Sequence, residues 1–268
     1  METRVSLHVS ISGQGPTVVM LHSGGMSGRQ WRKLAEALND RYRVVLPDFL
    51  GSGANPVWPA QDEFHFSRDV DEIQRLLSSL HQPYHLIGHS YGGLVALTVA
   101  RAQPDQVASL ALYDPVAFGV LFDQQDPEGL EDLHRVSANP VFTDDDRGGG
   151  EEWMHTFIDY WNGPGSWQAM PEANRQAFLK VGRKVYYEVK SLSQDHTPLQ
   201  AYARLTMPAL LVYGEKTPSA ARRVLQLLAT AMPGANLKVL PGAGHMGPLT
   251  HASAFQQLVE NHLAKSGM

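Results

Sequence analysis

The sequence of 268 residues contains no cysteine, which excludes disulfide bonds, thiolate metal sites and cysteine nucleophiles. It also lacks a basic excess: the formal net charge is −5, and no cluster of lysine and arginine stands out. A nucleic-acid partner is therefore not expected. No apolar run approaches the length of a membrane span, and the first eight residues contain no apolar signal core. We accordingly expect a cytoplasmic protein with no membrane partner.

Short apolar segments alternate with helix-forming segments along most of the chain. Segments 17–21, 42–46, 84–87, 107–113, 209–213 and 236–240 have the length and apolar content of buried strands. Segment 5–11 alternates apolar and polar residues, which is typical of an early strand with one face in water. This order of elements predicts an α/β fold with a mostly parallel, doubly wound sheet.

The alternation stops in the middle of the chain, where segments 151–161 and 171–192 have helical character and no strand is evident. We interpret residues 118–199 as an inserted helical cap, and residues 1–117 and 200–268 as the α/β core. The cap is rich in aromatic residues, some expected to pack it onto the core and others to line a pocket beneath it. These residues are Trp153, Phe157, Tyr160, Trp161, Trp167, Phe178, Tyr186 and Tyr187.

The segment Gly88-His-Ser-Tyr-Gly92 matches the pattern G-x-S-x-G between a predicted strand and a predicted helix. Strand, tight turn and helix form the arrangement of a nucleophile elbow, in which the serine hydroxyl is exposed above the strand end. Gly88 and Gly92 remove side chains that would collide in so sharp a turn. The context therefore predicts that Ser90 is a nucleophile.

A serine hydroxyl needs a base, and histidine is the side chain whose ordinary pKa suits that role near neutral pH. Of the twelve histidines, His22 is expected to brace its glycine-rich loop, and His89 is expected to point away from Ser90. His245 follows the predicted strand 236–240, so it should lie at the sheet edge that carries Ser90. We predict that His245 is the base, and an ordinary pKa would place the rise of activity between about pH 6 and 7.

Two carboxylates are candidates for the group that orients the base, because each follows a predicted strand. Asp114 comes directly after 107–113, and Glu215 comes shortly after 209–213. A carboxylate in this role holds the imidazole in the correct tautomer and stabilises the imidazolium. Position and residue type alone leave both candidates open.

The segments 88–93, 47–53 and 242–245 together resemble the α/β-hydrolase fold superfamily, and the resemblance covers nearly the whole chain, most weakly in the cap. It implies Ser90 as nucleophile and His245 as base. The position at which the family usually carries its acid is Thr217 in this sequence, which cannot serve. In a branch of the family the acid follows the strand after the elbow helix, and this position matches Asp114. The resemblance thus favours Asp114, with Glu215 as the alternative.

The resemblance also bears on the oxyanion hole and the reaction. One donor should be the N–H of Tyr91, the residue after the nucleophile, and the family match places the second at Gly24. The implied activity is hydrolysis of a small apolar carboxylic ester or lactone through an acyl-enzyme, with no metal or organic cofactor. Cofactor-free lyase or oxygenase chemistry and non-catalytic ligand binding remain alternatives, and the oligomeric state is unknown.

Overall fold

The computed structural model describes residues 7–81 and 83–267, and seven strands in this part of the chain form one sheet. The strands are β1 (Val9–Ser12), β2 (Thr17–Leu21), β3 (Arg43–Pro47), β4 (Tyr84–His89), β5 (Val107–Tyr113), β6 (Ala209–Gly214) and β7 (Ala235–Leu240). Their order across the sheet is β1-β3-β2-β4-β5-β6-β7. Only β1 is antiparallel to its neighbour, and all other pairs are parallel. The predicted α/β fold with a mostly parallel, doubly wound sheet is confirmed.

Both faces of the sheet are covered, which explains why its central strands are apolar throughout. Along β2, Val19 and Leu21 pack into one hydrophobic cluster, whereas Val18 and Met20 pack into another on the opposite face. Successive side chains of a strand point to opposite faces, so a strand between two helical layers needs apolar residues at every position. The early strand is shorter than predicted, and positions 5 and 6 of that prediction lie outside the described residues.

Helices supply the two outer layers and the segment between β5 and β6. They are α1 (Arg32–Leu38), α2 (Ser67–Ser78), α3 (Tyr91–Ala102), α4 (Gly119–Gln124), α5 (Pro127–Ser137), α6 (Glu151–Asn162), α7 (Ser166–Ala169), α8 (Glu172–Leu192), α9 (Ser219–Ala231), α10 (Gly247–Thr250) and α11 (Ala252–Ser266). The helical segments predicted between β5 and β6 correspond to α6 and α8, whereas α4, α5 and α7 were not predicted. None of the helices in the described part of the chain combines the length and apolar content that a bilayer crossing requires.

The helices between β5 and β6 have an aromatic core of their own, which includes Trp153, Trp167, Tyr186 and Tyr187. Leu50 and Phe64, from the connection between β3 and α2, join the same cluster. These helices therefore pack against core loops through shared apolar surface. The boundaries of the cap at residues 118 and 199 remain a prediction.

A buried ion cluster of Asp69, Lys184 and Glu188 also connects α8 to the core. The Lys184 ammonium donates a hydrogen bond to Asp69 Oδ2 at 2.8 Å and another to Glu188 Oε1. Asp69, on α2, also accepts hydrogen bonds from the Tyr91 hydroxyl at 2.7 Å and from the Leu50 N–H at 2.9 Å. Loss of one partner from such a pair typically costs about 3–5 kcal/mol, because the remaining charge stays buried. The cluster thus holds α8 over the sheet edge where α3 begins.

Candidate active site

Ser90 lies in the turn between β4 and α3, with φ 54° and ψ −118°. A non-glycine residue with positive φ is strained, and such strain persists only where the surroundings enforce it. The Ser90 N–H donates to the Tyr113 carbonyl at 2.9 Å, which ties the turn to β5. A Cβ atom at Gly88 would lie 2.6 Å from the Gly92 carbonyl oxygen, so the turn closes only around glycine. The elbow predicted from the sequence is present, and it directs the Ser90 hydroxyl into a cavity.

His245 follows β7 and reaches the hydroxyl of Ser90. Its Nε2 lies 3.0 Å from Ser90 Oγ, so the hydroxyl can donate to the ring. The His89 ring lies on the other side of the elbow, where its Nε2 donates to the His245 carbonyl at 2.8 Å. Gln30 Nε2 lies 3.0 Å from His89 Nδ1 and completes this contact. His89 therefore does not face Ser90, and it holds the loop that carries His245.

Asp114 follows β5 and approaches the other nitrogen of the imidazole. Its Oδ2 lies 3.0 Å from His245 Nδ1 and also accepts the Thr217 hydroxyl at 2.7 Å. Its Oδ1 has no hydrogen-bond partner among the described residues. The carboxylate is completely buried and aligned to hold the imidazole with its proton on Nδ1.

Glu215 is placed differently. It is exposed, and its Oε2 accepts a hydrogen bond from the Gly242 N–H at 2.7 Å, so it supports the loop before His245 without contacting the imidazole. Thr217 stands at the position of the family's usual acid and cannot take that role. Its hydroxyl in fact donates to Asp114, a role that its position beside β6 could have indicated. The structure thus brings Ser90, His245 and Asp114 together and leaves Glu215 outside.

Burial dominates the electrostatics of this pair. It lowers the pKa of His245 to about 3, because the closed site penalises the imidazolium. It also raises the pKa of Asp114 well above its ordinary range, and the hydrogen bond from Thr217 opposes that shift. The two groups share a hydrogen bond and titrate as a pair. His245 is consequently neutral at rest, which is the form a base requires.

Two backbone N–H groups border the cavity in front of Ser90. Gly24 and Tyr91 both line it, and neither N–H has a hydrogen-bond acceptor among the described residues. His22 braces the loop that carries Gly24, as expected: its Nδ1 donates to the Ser23 carbonyl at 2.8 Å, and its Nε2 accepts from the Phe49 N–H at 3.0 Å. Both N–H groups therefore remain available to a bound oxyanion.

The cavity at Ser90 is small and mainly apolar, with a volume of about 50 Å³. Phe157, Trp161 and Phe178 line it, so three of the aromatic residues singled out in the cap do face a pocket. The Trp161 ring stacks on the His245 ring with 3.9 Å between centroids. That contact shields the imidazole from water. In the described ranges, no group of three or more histidine, aspartate or glutamate side chains is arranged to hold a metal ion.

The chain is similar to known proteins in sequence and in fold. The model of the alpha/beta hydrolase fold family matches residues 16–252. The chain is 29% identical to a pimeloyl-[acyl-carrier protein] methyl ester esterase from Aeromonas hydrophila, covering 96% of this chain and 99% of the relative. It is 31% identical to the enzyme of the same name from Chromobacterium violaceum, covering 97% and 98%. A thermophilic esterase from Thermogutta terrifontis has the same fold, with a TM-score of 0.75, 24% identity and coverage of 98% and 94%.

The assignment of the acid can be tested with a matched pair of variants. We expect Asp114→Asn to lower kcat on p-nitrophenyl butyrate by about 10⁴-fold, because an amide next to Nδ1 favours the wrong tautomer of the imidazole. Glu215→Gln, which makes the same chemical change outside the hydrogen-bonded set, should leave kcat nearly unchanged. Steady-state kinetics on both variants decides the matter, and the opposite result would transfer the role to Glu215.

The lowered pKa of His245 predicts the pH dependence. Because the folded-state pKa lies below the ordinary value, the imidazole stays neutral as the pH falls through 6.5. We therefore expect kcat/KM for p-nitrophenyl butyrate to hold down to below about pH 6, whereas an unshifted pKa would place the loss between about pH 6 and 7. Circular dichroism at each pH would confirm that the enzyme is folded. A midpoint at or above 6.5 would contradict the burial of His245.

Proposed function

Because the chain belongs to the α/β-hydrolase fold family, we propose that it is a serine hydrolase that cleaves a carboxylic ester or lactone through an acyl-enzyme. The Aeromonas hydrophila and Chromobacterium violaceum relatives are both methyl ester esterases, which supports an esterase. The acyl-carrier-protein substrate in their names describes those two relatives. For this chain the proposal extends to the ester bond and to a small, apolar acyl group.

The observation that carries the proposal is the continuous path of hydrogen bonds from Ser90 Oγ through His245 to Asp114, with 3.0 Å at each step. In the proposed reaction, His245 Nε2 takes the hydroxyl proton as Ser90 Oγ attacks the carbonyl carbon. The carbonyl oxygen then carries the negative charge of the tetrahedral intermediate. Asp114 stabilises the imidazolium through Nδ1.

Collapse of the intermediate completes the first half of the reaction. The bond to the leaving oxygen breaks, His245 gives that oxygen its proton, and the acyl group stays on Ser90. Water then attacks the acyl carbon while His245 takes its proton, and the carboxylic acid leaves as Ser90 regains its hydrogen. The N–H groups of Gly24 and Tyr91 would bind the oxyanion in both halves. One such donor typically contributes about 3 kcal/mol to the transition state.

The cavities near Ser90 support a substrate of modest size. Next to the cavity at Ser90 lies a second apolar cavity of about 200 Å³, and Phe157, Trp161, Val189 and Leu192 contact both. A short acyl group fits the first cavity, and a longer one would have to displace part of this shared wall. Esters with short, apolar acyl chains are therefore the proposed substrates.

The proposal predicts that a fluorophosphonate labels Ser90 stoichiometrically and abolishes turnover of p-nitrophenyl butyrate. The reagent phosphonylates the serine that the neighbouring histidine activates, so Ser90→Ala should be neither labelled nor active. Peptide mass spectrometry locates the label, and chromatography should find acid and alcohol in equal amounts. Intact turnover by a protein whose Ser90 stays unlabelled would refute the proposal, and products other than acid and alcohol would point to lyase or oxygenase chemistry.

A further inference from the structure

Glu188 is an acid in the wall of the cavity at Ser90 that the reaction described above does not use. The side chain is buried, and its Oε1 accepts a hydrogen bond from Lys184. Its Oε2 has no hydrogen-bond partner among the described residues and is not sealed from the cavity. This oxygen opens onto a small, mainly apolar cavity, so the molecule that fills the cavity is the source of its hydrogen-bond donor.

The free oxygen lies beside the proposed oxyanion hole. A Cβ atom added to Gly24 would be 2.8 Å from Glu188 Oε2 and 3.8 Å from Tyr91 Cβ. The carboxylate therefore lies next to Gly24, whose N–H is one of the two proposed donors to the carbonyl oxygen. The leaving oxygen must approach His245 instead, because His245 protonates it. The substrate group that meets Glu188 consequently belongs to the acyl side of the ester, close to the scissile carbonyl.

The charge of the cluster adds a second argument. Asp69 and Glu188 place two carboxylates around the single ammonium of Lys184. An ionised Glu188 without a donor would repel the negative charge that develops on the carbonyl oxygen. A substrate hydrogen-bond donor placed between Glu188 and the carbonyl oxygen reduces that repulsion.

We propose that Glu188 determines specificity by accepting a hydrogen bond from a hydroxyl group on the carbon next to the scissile carbonyl, which makes esters of 2-hydroxy carboxylic acids the preferred substrates. This inference rests on the proposed ester hydrolysis and goes beyond it by adding one hydroxyl group, next to the scissile carbonyl, to an otherwise short and apolar acyl chain. Lys184 fixes the geometry because it occupies Oε1 and leaves Oε2 for the substrate. Glu188 thus contacts the substrate without taking part in the bond changes.

The pH dependence of this preference can be assigned to Glu188. Burial raises the pKa of Glu188 to about 7, although Lys184 opposes the shift. The titratable groups that face it are Lys184 on α8, Asp69 on α2 and Tyr91 on α3, with His245 across the cavity. Burial opposes the positive charge of Lys184, but the two neighbouring carboxylates outweigh burial and raise the pKa of Lys184. Burial raises the pKa of Tyr91 and lowers the pKa of His245 to about 3. Glu188 should therefore accept the hydrogen bond fully only above about pH 7.

The test compares kcat/KM for methyl 2-hydroxybutyrate and methyl 2-methoxybutyrate, each as single enantiomers, with methyl butyrate as reference. The hydroxyl and methoxy groups activate the carbonyl similarly, but only the hydroxyl donates. A hydrogen bond to a charged group predicts a preference for the hydroxy ester of about tenfold or more at about pH 8. The preference should shrink at about pH 6, where Glu188 is protonated.

Glu188→Gln keeps the shape of the side chain and reverses its hydrogen bonding. Its amide oxygen would accept from Lys184, which turns the NH₂ group toward the cavity. The preference for the hydroxy ester should then disappear at both pH values. Glu172→Gln is the matched control, because Glu172 lies exposed on the same helix; it should keep the wild-type preference and its pH dependence.

Each outcome decides between the hypotheses. Equal losses for both esters in Glu188→Gln would assign Glu188 a structural role and overturn the inference, as would an unchanged preference. If that variant does not fold, a wild-type preference that stays constant between about pH 6 and 8 overturns it equally well. Turnover of methyl butyrate without any preference refutes only the inference, whereas a folded enzyme that hydrolyses none of the esters refutes the proposed function too.

Discussion

The hydrogen bond between His245 Nδ1 and Asp114 Oδ2 is the contact on which the rest of the candidate site depends. It joins the loop after β7 to the end of β5, and it fixes which ring nitrogen of the imidazole meets Ser90. The set of Ser90, His245 and Asp114 needs three strand ends at one edge, and parallel strands provide this because their carboxyl ends meet there. The proposed chemistry therefore depends on the parallel order of the sheet.

Burial gives this contact its chemical effect. The Trp161 ring covers one face of the imidazole and Asp114 is fully buried, so water has little access to either group. A resting site without an imidazolium keeps the base ready, and a low local dielectric strengthens every interaction with charge that forms during the reaction. The ion cluster of Asp69, Lys184 and Glu188 joins α8 to α2 beside this closed environment.

The local sequence was sufficient to predict the elbow, because the strand before Ser90 and the glycines at 88 and 92 all lie within a few residues of it. The position of His245 at the sheet edge that carries Ser90 could be predicted, because His245 follows a predicted strand. Position alone could not separate Asp114 from Glu215, since both follow strands, and only the fold determines which carboxylate meets Nδ1. The contact of Trp161 with His245 and the position of Glu188 in the cavity wall could not be predicted, because they depend on how the helices between β5 and β6 pack over the sheet and on the buried partner Lys184.

The most direct test of the central claim is to quench the enzyme with acid during turnover of p-nitrophenyl butyrate and to analyse its peptides by mass spectrometry. The account predicts a butyryl group on the peptide that contains Ser90, in an amount equal to the initial burst of p-nitrophenol. Sustained turnover with the acyl group on another residue, or with no acylated peptide despite a burst, would contradict it.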